Sequence, residues 1–332
     1  MSWAQSIREI GRGPERARDL DRDAARQLFG AILDGGVPEL ELGAILVALR
    51  MKRESLSELL GFHQAVGERL QRLAPPRGES ARTVVIPSYN GARRQSSLMP
   101  LLALMLRSLK VPVLVHGTLD GHGRVASALV FRELGIMPVA TLAQVQAALA
   151  RDGLVFVPIA VLAPGLAQVL ALRNRLGVRS SAHTLAKLVD PFSGAGMRMI
   201  AVTPAYYLGK LGELLLETGE TALLMRATEG EAYANPRKRP RIELYRDGER
   251  QILFEEEHAS DEEHDAAPQA VEAKAAAAQI RRMLDGDEPV PRPLINQLAC
   301  CLYASGYASD FNQAKAIAAV FNSRPAVARD QA

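Results

Sequence analysis

The stretch 84–97, VVIPSYNGARRQSS, sets a short β-branched run against a turn and two adjacent cations. Where a strand ends in a loop that opens a helix, backbone N–H groups converge and attract anions. Phosphate cradles of this kind are rich in glycine, because a Cβ keeps the backbone away from the ligand. Here Pro87, Ser88, Tyr89 and Asn90 precede a single Gly91, and Arg93 and Arg94 follow it. The chemistry on offer is phosphate contact by arginine side chains rather than a wrapped pyrophosphate. A second basic run, NPRKRPR at 235–241, gathers Arg237, Lys238, Arg239 and Arg241 between prolines that hold the chain extended. The acidic run EEEHASDEEHD at 255–265 follows closely and offers those cations partners within the chain. Lys187, Arg198 and Lys210 are single cations of the same basic region and candidates for the same contact. His116, His122 and His183 have no spacing that suits a compact metal set. With no Ser-His-Asp or CxxC pattern either, no catalytic residue, metal or cofactor is assigned.

The bulk numbers agree with a polyanionic partner. The 332 residues are 48% hydrophobic and 23% charged, ordinary for a soluble globular chain of one large or two medium domains. A net charge of +3 hides an asymmetry: 20 Lys and Arg stand against 10 Asp and Glu in 77–241, but 9 against 16 in 242–332. Such a basic segment favours phosphate backbones, with affinity that falls steeply with salt. Aromatics make up only 5%, and those singled out for stacking in the basic region are Tyr89 and the Tyr206–Tyr207 pair. Base stacking is therefore a minor term and little sequence preference is expected. The adjacent Cys300 and Cys301 read as buried core thiols of a reducing compartment. With no signal-peptide core at the N-terminus and no membrane-length apolar run, a cytoplasmic location is expected.

Elements must hold these residues in place. From Asp21 to Arg72 the apolar spacing is helical; Ala25, Leu28, Phe29, Ile32 and Leu33 share one face, and Ser55 or Ser57 caps a later helix. After a Pro/Gly/Ser linker at 73–80 the rhythm turns to strand–helix alternation, which predicts an α/β domain with a mostly parallel, buried sheet. Strands are expected at 83–86, 111–117, 137–140, 154–160, 197–202 and 221–227, a helix over 177–192, a hairpin after 241, and helices through 267–322. The expected division is a helical subdomain, 1–74, joined by helix 177–192, and an α/β domain, 75–176 and 193–332.

Several phrases resemble the anthranilate phosphoribosyltransferase family, which has the glycosyltransferase family 3 fold. They are AILDGGVPELELGAILVALRMKRES near the N-terminus, GVRSSAHTLAKLVDP at 177–191 and the His116-Gly117 turn. The resemblance implies a helical subdomain with its own dimer interface and a large α/β domain. The catalytic signature departs from the family's. Counting back from His116, the family's GTGGD loop falls on Pro87–Gly91, and its phosphate-binding Asn, Ser and Thr fall on Ser97, Met99 and Pro100. Its metal-holding Asp-Glu pair falls near Glu229 and Gly230, with Glu231 as a possible substitute for one carboxylate. Arg179 matches the family's aromatic-substrate arginine, while Lys187 replaces a proline and His183 an asparagine. The strings PSYNGARR and ATEGEAYANP resemble a YbiB-type branch of the family, and this implies a non-catalytic homodimer that binds nucleic acid without sequence preference. The expectation is DNA binding, RNA being open, at Arg93, Arg94, Arg179, Lys187, Arg198, Lys210, Arg237, Lys238, Arg239 and Arg241, in a cationic groove derived from the old substrate cleft. Two rivals stand beside it. His116, Gly117, Ser127 and Arg179 would serve a divergent phosphoribosyltransferase acting on a small aromatic substrate, and a basic patch alone would serve a scaffold for an acidic protein.

Overall fold

The computed structural model describes residues 2–13, 16–76, 81–258 and 271–323. Its contacts divide the chain into two units, Met1–Arg72 with Ile159–Pro191, and Leu73–Pro158 with Phe192–Ala332.

The first unit is helical: α1 (Trp3–Ile10), α2 (Arg22–Leu33), α3 (Glu39–Lys52) and α4 (Leu56–Glu68). The apolar face expected on α2 is buried throughout, with Phe29 stacked on Phe62 of α4 at 4.8 Å between ring centroids. Ser55 caps α4 in a reciprocal box with Glu58, which satisfies two N-terminal amide groups at once. The Glu58 carboxylate also accepts from buried Lys52 Nζ at 2.7 Å. Short helices at Ile159–Leu162, Pro164–Ala171 and Arg173–Leu176 belong here, although 159–176 reads in sequence as part of the α/β domain. The packing explains it: a Cβ on Gly165 would lie 2.2 Å from the carbonyl oxygen of Leu33. Residues 177–192 are not one helix but a single turn, Ala182–Leu185, and a 3-10 turn, Ala186–Leu188. Ser181 spends its hydroxyl on the buried Glu54 carboxylate instead of capping a longer helix.

The second unit carries a seven-stranded sheet in the order β3-β2-β1-β4-β5-β7-β8. Its strands are β1 (Val84–Ser88), β2 (Val113–Gly117), β3 (Leu154–Pro158), β4 (Met197–Val202), β5 (Ala222–Arg226), β7 (Ile242–Arg246) and β8 (Glu249–Phe254). The first five pair in parallel, and β7 and β8 close one edge antiparallel. A small ladder, β6 (Lys238–Arg239) with β9 (Glu257–His258), stands apart from that sheet. Strands β1, β2 and β4 are buried along their whole length, as a parallel sheet covered on both faces requires. The expected strand 137–140 is absent because Pro138 has no N–H to give; Val139 alone donates to Phe156. The helices α5 (Met99–Ser108), α6 (Ser127–Glu133) and α7 (Leu142–Asp152) follow the first strands. Helices Ala273–Asp285 and Arg292–Ala304 pack with α5 on one core, in which Cys300 and Cys301 are fully buried and the Cys301 thiol meets Met199 Sδ at 3.5 Å. No helix among the described residues is long and apolar enough to cross a membrane.

Candidate functional site

In an open parallel sheet, ligands bind beyond the carboxyl ends of the strands where the order reverses. Here that point lies between β1 and β4. The loops after β1, β2 and β5 meet beside it, and they carry the residues that the sequence singles out.

Tyr89 turns inward after β1, and its hydroxyl meets Nδ1 of His116, the residue paired with Pro87 across β1 and β2, at 2.7 Å. His116 is fully buried, its Nε2 has no hydrogen-bond partner among the described residues, and burial pushes its pKa down to about 3. The imidazole is thus neutral at physiological pH. Burial and the nearby Glu231 charge raise the Tyr89 pKa well above the usual phenol value, so this pair exchanges no proton near neutrality. Gly117 is demanded by the fold, since a Cβ there would lie 1.9 Å from the Ser88 carbonyl oxygen.

The loop after Tyr89 has five consecutive backbone N–H groups, and each has an acceptor. Asn90 and Gly91 donate to Glu231 Oε1 at 2.7 and 2.8 Å. Ala92 donates to the carbonyl of Val125 at 2.8 Å. Arg93 donates to Glu229 Oε2 at 2.6 Å and Arg94 to Glu229 Oε1 at 2.9 Å. The Ser127 hydroxyl donates to Glu231 Oε2 at 3.4 Å, and the Asn90 side-chain amide donates to the Gly230 carbonyl at 2.7 Å. The strings PSYNGARR and ATEGEAYANP are therefore two halves of one structure: one supplies amides, the other carboxylates. Tyr233 of the second string fastens them further, its hydroxyl donating to the Ser96 carbonyl at 3.0 Å.

This arrangement does not fit the magnesium–phosphoribosyl pyrophosphate that the family resemblance implies. Its amides are taken, the ring of Tyr89 fills the loop's inner side, and the buried Glu231 is spent on N–H groups rather than turned toward a cation. No group of His, Cys, Asp or Glu able to hold a metal occurs among the described residues.

The expected cations fall into four groups. Arg93 and Arg94 are exposed, and neither side chain is in an ion pair among the described residues. Arg237 is exposed as well, its backbone N–H held by the Asn235 side chain at 3.0 Å. Lys238, Arg239 and Arg241 are paired with acids: Lys238 with Glu256, Arg239 with Glu257 at 2.6 Å, and Arg241 with Glu243 at 2.9 Å. Arg239 also lies over the Phe254 ring at 4.7 Å. The acidic run thus meets the basic loop through residues 255–257, while its residues 259–265 lie outside the described residues. Lys210 pairs with Glu213 one helical turn away at 2.7 Å. Arg179 and Lys187 belong to the helical unit, both half-buried. Arg198 is a correction: it is 2% exposed within β4 and bound to Glu220 at 2.8 Å, so it anchors the sheet and reaches no external phosphate.

Sequence reasoning passed over Arg124, which donates to the Glu229 carbonyl at 3.1 Å, and the exposed Arg226 and Arg250. The latter two join Arg241 in lining a cavity of about 580 Å³ between helix Ala205–Thr218 and the β5–β7 edge. No spacing marks them; they meet only because β5, β7 and β8 are neighbours.

The fold defines a protein built on the anthranilate phosphoribosyltransferase plan. Comparisons with known proteins agree on that plan. Residues 4–69 match the helical bundle domain of the glycosyl transferase family. The anthranilate phosphoribosyltransferase of Thermus thermophilus superposes with a TM-score of 0.72 at 22% identity, covering 96% of this chain and 94% of that one. The Saccharomyces cerevisiae enzyme in complex with PRPP and Mg superposes at 0.73 and 13% identity, over 96% and 93%. The uncharacterized protein YbiB of Escherichia coli is 45% identical over 93% of this chain and 96% of its own length. The chain belongs to the family of YbiB, within the glycosyltransferase family 3 fold.

Proposed function

We propose that this protein binds the phosphate backbone of nucleic acid, DNA or RNA, without sequence preference and without phosphoribosyl transfer, as a cytoplasmic homodimer. The observation that carries the reading is the loop after β1: its amides are occupied from within while both of its arginines face solvent. A loop so arranged offers a phosphate two guanidinium groups and no backbone cradle. Arg93, Arg94 and Arg237 are the primary contacts, because they need not leave a carboxylate to reach a phosphate. Lys210, Lys238, Arg239 and Arg241 act mainly through the local field, each being paired already. Arg179 and Lys187 contribute from the helical unit.

A second copy of the chain is the proposed partner of α3. That helix buries Ile45, Leu46 and Leu49, yet Leu40 and Met51 are 83% and 65% exposed and Val47 lies between them, one apolar stripe at helical spacing. Two basic surfaces on one dimer bind a long strand with avidity.

The test is fluorescence anisotropy of a labelled oligonucleotide titrated with the full chain at several salt concentrations. Log affinity is expected to fall linearly with log salt, equally for unrelated sequences. Changing Arg93, Arg94 and Arg237 to Ala should flatten that slope by roughly one per residue removed. Absence of binding at low salt would sink the reading.

A further inference from the structure

We propose that the cavity between helix Ala205–Thr218 and the β5–β7 edge binds a small carboxylic acid with an aliphatic body, its carboxylate on Arg226. This goes beyond nucleic-acid binding and does not rest on it. The strands that line the cavity, β5, β7 and β8, lie beyond β4, outside the crevice between β1 and β4. All of its lining residues belong to the α/β unit. Its volume of about 580 Å³ is that of a small-molecule site, which spans roughly 300–1,000 Å³.

The walls are aliphatic. Leu208 and Leu216 come from the helix, Leu224 and Met225 from β5, and Pro240 from the loop before β7. Leu216 is 42% exposed, a leucine that the fold itself leaves uncovered. Two glycines of the same helix also line the cavity, and only one of them is explained by packing. At Gly212 a Cβ would lie 2.6 Å from the Tyr245 hydroxyl, so close approach demands glycine. At Gly209 a Cβ would meet nothing within 4 Å, and the backbone there is not left-handed. Glycine weakens a helix interior relative to alanine, so residue 209 is not chosen for the helix. What its missing side chain does is keep the cavity open.

Charge decides the ligand. Arg226, Arg241 and Arg250 line the cavity, whereas its Glu213 and Glu256 are spent on Lys210 and Lys238, which do not line it. The third acid, Glu243, pairs with Arg241 at 2.9 Å and Arg250 at 3.9 Å, and accepts from the Tyr245 hydroxyl at 2.8 Å. The Arg226 side chain is exposed and has no ion pair or hydrogen bond among the described residues. Val202 pairs with Arg226 across β4 and β5, which brings Thr203 and its hydroxyl to the same end of the cavity. A cationic ligand would meet three guanidinium groups and no unengaged carboxylate. A carboxylate instead gains the Arg226 fork, and its chain covers the leucines.

Isothermal titration calorimetry of the full chain with octanoate tests the site. Saturable binding is expected, about fourfold tighter for each methylene added from hexanoate to octanoate. Octylamine should give none. Arg226→Glu reverses the charge at an exposed strand end and should abolish octanoate binding. Gly209→Leu fills the cavity and should abolish it too, while leaving the affinity for a labelled oligonucleotide unchanged. That last readout separates this site from the loop after β1. No saturable octanoate binding by the wild type, or equal binding of octylamine, would overturn the proposal. So would a folded Arg226→Glu or Gly209→Leu protein that binds octanoate as the wild type does. If Gly209→Leu does not fold, Arg226→Glu decides.

Discussion

His116 shows how a single residue's environment fixes its chemistry. In an unfolded chain its imidazole takes a proton below about pH 6.5, whereas in the fold burial holds the pKa at about 3. Between those values the unfolded state binds more protons, so stability falls as pH drops from 6.5 toward 3. The full effect is on the order of 5 kcal/mol. His116→Gln keeps an acceptor for the Tyr89 hydroxyl and has nothing to titrate. Urea midpoints measured from pH 7 to pH 4 should therefore fall more steeply for the wild type than for the variant. Parallel curves would mean that His116 is protonated in the native state. At this scale the sequence was partly legible. The strings PSYNGARR and ATEGEAYANP stood out, and the poor fit of Pro87 and Tyr89 to a pyrophosphate loop followed from their shapes. What could not be read was that Glu229 and Glu231 bind the other string, 135 to 141 residues away in sequence. Arg198 differs for another reason: inside MRMIAV it reads as a charge, yet a cation in a fully buried parallel strand needs a structural partner, here Glu220.

At the scale of the element, local signals were good wherever backbone hydrogen bonds alone decide the outcome. The Ser55 cap, the α2 face and the hairpin turn at Asp247-Gly248, both residues left-handed, were all written in adjacent residues. The failures lie where a side chain reaches outside its own element. Residues 177–192 have helical periodicity, yet Ser181 answers to Glu54 and the helix ends after a turn. The helix α3 shows the opposite case, a regular element with more apolar surface than its own unit covers. Val47→Glu would place a charge in the exposed stripe without touching Ile45, Leu46 or Leu49. Sedimentation velocity should then report a monomer with an unchanged circular-dichroism spectrum. A dimer that survives this change would place the partner elsewhere.

The whole molecule combines a helical unit with balanced charge at its start, a basic stretch through the middle and an acidic C-terminal part. Much of the basic excess in 235–241 is met by carboxylates at 243 and 255–257, so net charge overstates the field at that loop. Arg93 and Arg94, in no ion pair among the described residues, stand together in the loop after β1, and it is there that salt dependence should be most sensitive to mutation. Fold class was legible at this scale, because strand–helix alternation and buried apolar runs are properties of long segments. The assignment of 159–176 was not, since it hangs on close packing such as that of Gly165 on Leu33.

The paired thiols of helix Arg292–Ala304 give this architecture a built-in clock. Burial raises the pKa of both, and only a thiolate attacks a labelling reagent. Cys300 and Cys301 share one core with the sheet and α5, so a reagent in solution meets them only when that core opens. The rate of thiol labelling under native conditions should therefore follow the opening of the α/β unit and rise in step as denaturant is added. Labelling that is fast and indifferent to denaturant would mean that the helix breathes independently of the sheet it covers.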